Sequence, residues 1–176
     1  MSMAVQTSYG LSSPKGVAGG LFDLSAHEVT TRQAEGEGIS FGIGVVAGTN
    51  KGIDVALPSA GTAAEDFEGV IIHNSVMVEM DMDNRVRIGD KRTVGCLNRG
   101  KVWVKTGEKA APAYKEKVYL IIDGNEAGMF TTASDSESTK MMVNGIFLGE
   151  TDAGIANAEF FSGLAGTEKS TEGGTE

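Results

Sequence analysis

Residues 100–124, GKVWVKTGEKAAPAYKEKVYLIIDG, decide how this chain is read. They spell two short strands joined by a loop, with lysines set along an apolar ribbon. In the first strand the pleat sends Val102 and Val104 to one face and Lys101, Trp103 and Lys105 to the other. One face suits a core. The other carries a large ring between cations and suits a covered sheet face, a partner surface or a nucleic-acid surface.

The surrounding sequence repeats the pattern. Glycine makes up 25 of 176 residues, about twice its usual ~7%. At that density, between short Val, Ile and Phe runs, glycine punctuates turns and weakens long helices. Strands are expected at 39–47, 52–57, 69–73, 76–82, 92–97, 101–106, 117–123, 127–132, 142–148 and 155–161. Within 76–82, Val76, Val78, Met80 and Met82 share one face and Met77, Glu79 and Asp81 the other. Gly48–Gly52 and Asp123–Gly128 read as turns, and Thr62–Phe67 as one helical turn. Many short strands at this spacing predict an all-β fold, a small barrel or sandwich of short antiparallel strands. Residues 1–20 are small, polar and glycine-rich and read as a flexible N-terminal arm, 21–163 as a single β domain, and 164–176 as a flexible acidic tail.

Composition excludes several classes. The single Cys96 forms no internal disulfide, and no apolar stretch follows a basic start, so the expectation is a protein made in a reducing compartment without a signal peptide. No apolar run approaches the ~18 residues of a membrane helix, so no membrane partner is expected.

Charge is unevenly distributed. Residues 85–117 hold ten Lys or Arg against three acids, a local +7 in a chain of net −9, which leaves −16 for the rest. Residues 53–84 contain no Lys or Arg but seven acids. Such polarity suits contact between copies or docking on a second protein. Alternatively, the acidic and basic strands are sheet neighbours and pair with each other. Trp103, Tyr114 and Tyr119 among cations also suit stacking on single-stranded nucleic acid. The −16 elsewhere repels phosphate and no nucleic-acid signature is present, so direct nucleic-acid binding is not expected.

Catalytic and ligand motifs fall short. His27, His73 and Cys96 are too few and scattered for a closed zinc site, and His73, beside Ile71 and Ile72, reads as a hydrogen-bonded strand residue. Ser25, His27 and Glu28 bring the groups of a triad together in sequence, but a triad needs geometry that a loop does not supply. Gly42-Ile43-Gly44-Val45-Val46-Ala47 fits the spelling of a dinucleotide fingerprint, yet that motif requires a helix where Gly48–Gly52 turns the chain. Asp81-Met82-Asp83-Asn84 opens like a calcium loop, but Arg85 stands where an oxygen ligand belongs. Asp135 and Glu137, among serines, read as a solvated loop tip. No catalytic residue, metal or cofactor is expected.

The order of segments carries a resemblance. GVAGGLFD (16–23), EGEGISFGIGVVAGT (35–49), FEGVII (67–72), VGCLNRGKVWVKTGEKAAPAYKEKVYLI (94–121), GMFTT (128–132), NGIFLGE (144–150) and IANAEFFSG (155–163) together resemble the structural cement, or capsid decoration, proteins of tailed bacteriophages. The resemblance implies a non-enzymatic protein, made in the host cytoplasm, on the exterior of the virion capsid. There it binds the shell of major capsid protein and stabilises it against packaged DNA. Self-association is expected, as a trimer first and a dimer second. Trp103 with Arg99, Lys101 and Lys105 is then a candidate subunit or capsid contact, unless Trp103 is core. The arm, with Tyr9 and Lys15, is the other candidate. GTEKSTEGGTE at 166–176 departs from the family pattern, in which chains often end soon after the last strand. Another virion or receptor-binding β module, or a small β-barrel enzyme, is the alternative.

Overall fold

The two strands expected at 92–97 and 101–106 are one. In a computed structural model that describes residues 16–74, 79–80, 86–136 and 138–162, β7 runs unbroken over Thr93–Lys105. Asn98-Arg99-Gly100, which reads as a break, is a bend. The register against β1 (Glu28–Ala34) slips at this point, with Glu28 opposite Arg99 and Val29 opposite Leu97, and Gly100 takes a φ of 129°. An extra residue of this kind bends a strand without ending it.

That bend lets one strand serve two sheets. In chain order, β1 is followed by β2 (Gly44–Ala47), β3 (Asp54–Ala56), a 3-10 turn at Ala64–Asp66, β4 (Phe67–Ile71), β5 (Glu79–Met80) and β6 (Val86–Arg87). After β7 come β8 (Lys117–Ile121), β9 (Phe130–Thr131), β10 (Lys140–Phe147) and β11 (Ile155–Phe160). The order β1-β3-β2-β4-β7, with β7 returning to β1, closes a five-stranded barrel. The order β7-β11-β10-β8-β9 forms a second, curled sheet, and a bridge between Thr106 and Phe130 brings its far strand back beside the end of β7. β5 and β6 form a separate two-stranded ribbon. The barrel is antiparallel except where β1 runs parallel to β3 through Gln33–Asp54 and Ala34–Val55.

Two clusters of buried side chains follow from this arrangement. Ala34, Val45, Val55, Ile71, Val94 and Cys96 pack inside the barrel, together with Ile39, Phe41 and Ile43 from the segment before β2. Val102, Val104, Leu120, Phe130, Phe147 and Phe160 anchor the second cluster, and Val46, Val70 and Leu97 belong to it as well. Consecutive residues of β2, β4 and β7 thus point into different cores, which explains the continuous apolar runs. Close approach makes glycine necessary at Gly69. Its φ is 144°, and a Cβ there would stand 2.3 Å from the Leu97 carbonyl oxygen.

The expected turns at Gly48–Gly52 and Asp123–Gly128 and the single helical turn near residue 64 are present. β1 was not expected as a strand. The alternation read at 76–82 falls mostly outside the described residues.

Candidate functional site

The outer face of β7 is covered by the segment that precedes β1. Gly19 N–H donates to the Trp103 carbonyl at 2.7 Å, Trp103 N–H to the Gly20 carbonyl at 2.9 Å, and Phe22 N–H to the Lys101 carbonyl at 3.0 Å. Residues 16–23 therefore lie along the edge of β7 left open by β11, as a strap. His73 N–H fastens the strap from the other side, donating to the Gly19 carbonyl at 2.8 Å.

Trp103 lies beneath this strap, partly buried. The Phe22 ring tilts against its indole at 5.7 Å between centroids. Gly16 rests so close that a Cβ there would stand 2.0 Å from the indole ring, so only glycine permits the crossing. Along the strap Val17 is 57% and Phe22 47% exposed, and Leu24, just after it, is 96% exposed. An apolar roof is thus held over an aromatic base by main-chain hydrogen bonds.

The cations of the ribbon part company. Lys101 Nζ is 3.0 Å from the Asp23 carboxylate of the strap. The Ser25 hydroxyl and N–H, and then Lys101, hold the Asp23 carboxyl down to about 2, and Asp23 in turn raises Lys101 above the ordinary lysine range. Lys105 Nζ instead reaches the Ser40 hydroxyl at 2.9 Å, and partial burial depresses its pKa. Arg99 is exposed, opposite Glu28. Tyr9 and Lys15 lie outside the described residues. Of the six candidates, then, Lys101 and Trp103 both contact the strap, Lys105 on the same face bonds to Ser40 and lines a cleft, and Arg99 lies at the bend.

Lys105 opens into a cleft of about 640 Å³. Phe41, Ile43, Leu57 and Met129 supply apolar wall, and Val17 and Ala18 of the strap form part of its border. His73 and Arg87 also line it, the His73 imidazole tilted against the Phe41 ring at 4.9 Å. No carboxylate is among its described lining residues. Sequence reading missed both strap and cleft. Only the unbroken small-residue run Gly16-Val17-Ala18-Gly19-Gly20, which allows close main-chain approach, hinted at the first.

The remaining motifs resolve as follows. His27 Nδ1 lies 2.9 Å from the main-chain carbonyl of Ser25, whereas the Ser25 hydroxyl bonds to Asp23, so the nucleophile-to-base contact of a triad is not made. Gly44–Ala47 of the dinucleotide spelling is strand, followed by a turn. Among the described residues no three His, Cys, Asp or Glu side chains group as metal ligands, and no helix is long and apolar enough to cross a membrane. Asp81–Arg85 lie outside the described residues, as does Glu137. Asp135 corrects the reading of a solvated tip. It is 5% exposed and accepts bonds from Ser138 Oγ at 2.7 Å and Thr131 Oγ1 at 2.9 Å, and these hydroxyls hold its carboxyl below the usual range.

A family model described as "Structural cement protein (E217 gp24/Pam3 gp6)" matches residues 5–161. The chain belongs to this family. Among solved structures, this cement-family chain is similar to a chain of the capsid of Myoviridae phage XM1. The TM-score is 0.67 at 20% identity, over 89% of this chain and 97% of the other, a likeness of fold. No protein with a curated description matches. The family match spans strap, ribbon and both sheets.

Proposed function

We propose that this cement-family protein docks on the outer surface of an assembled shell of major capsid protein and reinforces it, without catalysis, against the pressure of packaged DNA. The observation that carries the reading is the family match over residues 5–161, which takes in almost every described residue. The strap adds physical support. Val17, Phe22 and Leu24 form an exposed apolar edge on a fixed main-chain frame, the kind of surface that anchors an interface.

A specific contact needs about 800 Å² on each partner. A shell offers the same site many times at fixed spacing, so an oligomer touching several subunits gains avidity and ties together subunits that pressure would separate. A closed trimer matches three-fold shell symmetry, with a dimer as the second choice. Arg99, exposed at the bend, and the residues around Tyr9 and Lys15 are further proposed contacts. No nucleic acid or membrane enters this mechanism.

The test is co-sedimentation of the purified protein with expanded shells lacking their own decoration, across a salt series. Saturable binding at a fixed ratio to shell subunits is the expected result, and weakening with salt assigns the charged groups a direct part. A folded protein that stays in the supernatant at every concentration overturns the reading.

A further inference from the structure

Lys105 is an ammonium in an unusual position. It is half-buried, its neutral Ser40 partner cannot balance its charge, and the described lining residues of the cleft it faces include Arg87 and His73 but no acid. Lys101, two residues away on the same strand, has Asp23. Taking an ammonium partly out of water without a counter-charge costs stability, and a buried charge is ordinarily paired. The chain carries −16 outside residues 85–117, yet the only hydrogen-bond partner of the Lys105 ammonium among the described residues is the Ser40 hydroxyl.

We propose that this cleft receives an acidic segment of the shell subunit on which the protein docks. A carboxylate of that segment meets the Lys105 ammonium, and an adjacent apolar side chain lies on Phe41, Ile43, Leu57 and Met129. The inference rests on the docking reading above and deepens it by naming the chemistry of the partner. About 640 Å³ is within the usual range of ~300–1,000 Å³ for a ligand pocket, enough for two or three side chains but not a domain. The wall is apolar and the charge is local, so the complementary group is one carboxylate beside one hydrophobe. A polynucleotide would bring a row of phosphates toward acidic surroundings. A second copy of this chain is the competing occupant, and the self-association measurement below tells it from the shell. Charge complementarity favours an acidic segment over a polynucleotide, and the many identical sites of a shell favour the shell as its source. Val17 and Ala18 border this cleft and also belong to the strap, so the apolar edge proposed to dock and the acid-binding cleft form one continuous surface.

The experiment compares wild type, Lys105→Met and Lys105→Arg. Each is measured by co-sedimentation with undecorated shells and, without shells, by fluorescence of the anionic apolar dye anilinonaphthalene sulfonate. Lys105→Met is expected to raise the half-saturation concentration for shells about tenfold or more and to abolish the dye enhancement. Lys105→Arg is expected to keep most of both. The melting temperature of Lys105→Met should equal or exceed that of wild type, because an unbalanced, partly desolvated charge has gone. If wild type does not sediment, the docking reading falls and this inference with it. If wild type sediments and Lys105→Met sediments equally well, this inference alone is overturned. Equal dye enhancement in wild type and Lys105→Met also overturns it. So does a concentration-dependent self-association of wild type in sedimentation velocity that Lys105→Met abolishes, since the occupant would then be a second copy.

Discussion

Replacing Trp103 by alanine should separate the strap from the barrel while leaving the barrel folded. The indole is partly buried, beneath Gly16 and against Phe22. With ~150 Å² covered, its transfer is worth ~4 kcal/mol at ~25 cal/mol/Å², an upper figure because the unfolded chain already hides part of that area. The expected loss is about 3 kcal/mol, short of a typical global stability of ~5–15 kcal/mol. Val102 and Val104 keep their places on the opposite face, and β7 keeps its main-chain pairing with β11 from Lys105–Ile155 to Gly100–Phe160. Hydrogen exchange followed by mass spectrometry, with a thermal melt alongside, reads the two effects separately. Amides of the strap, Gly19 and Phe22 above all, should exchange at least tenfold faster, equivalent to about 1.4 kcal/mol of local opening. Amides of β10 and β11 should stay protected, and shell binding should weaken because the strap is no longer presented. Two results would refute the reasoning. A variant that fails to fold makes Trp103 part of the core, and unchanged strap protection means that the strap does not depend on the indole.

Leu24 is 96% exposed, so Leu24→Ser should leave the melting temperature unchanged, within ~0.5 kcal/mol, yet weaken shell binding about tenfold if the strap docks; equal binding removes Leu24 from the interface. Gly69→Ala forces a side chain into a φ of 144° with its Cβ 2.3 Å from the Leu97 carbonyl oxygen and should cost about 3 kcal/mol or more in denaturant unfolding; a smaller cost would mean that β4 shifts freely against β7. Burial pushes the Cys96 thiol up to about 12, so iodoacetamide at mildly alkaline pH should label it only in unfolded protein, and rapid native labelling would contradict its burial. Ser25, and after it Lys101, depress the Asp23 carboxyl to about 2, so the charge it presents to Lys101 is complete above the ordinary carboxylate range of ~3.9 and lost as pH falls toward 2. Trp103 fluorescence should change across that window in wild type by more than in Asp23→Asn; identical titrations would remove Asp23 from the strap's anchorage.

The ribbon's alternation was legible because Val102 and Val104 obey a local rule, the period of two. The all-β class and the turns at Gly48–Gly52 and Asp123–Gly128 were legible for the same reason. β1 escaped because Glu28–Ala34 points mostly polar side chains outward, and only Ala34 is fully buried. Its strand state comes from pairing along β7, a partner some 65 residues away. The continuity of β7 escaped because a glycine after two polar residues spells a turn as readily as a bulge. What decides between them is whether both flanking halves find partners, and here β1, β4 and β11 all do. Asp135 read as solvated because a short serine-rich run gives no sign that its own hydroxyls will close over it.

The same distinction explains the basic ribbon. Alternation placed Lys101, Trp103 and Lys105 on one face, and that much was correct. Their fates diverged because a segment about eighty residues earlier folds back over part of the face, bringing Asp23 to Lys101 and Gly16 to the indole and leaving Lys105 at the border of a cleft. Most cation-rich ribbons resolve into surface pairs of small net worth, and Lys101 follows that course, as does Lys51 with Asp66 elsewhere in the chain. Lys105 does not, although the chain has an excess of acids. Placing an acid near it would need only a substitution at a small lining residue such as Ala127. A stability-driven sequence would gain from that change, whereas a protein that takes its counter-charge from a partner would lose its recognition by it. The unbalanced ammonium is thus the residue of the ribbon at which the proposed docking and the demands of folding part most clearly.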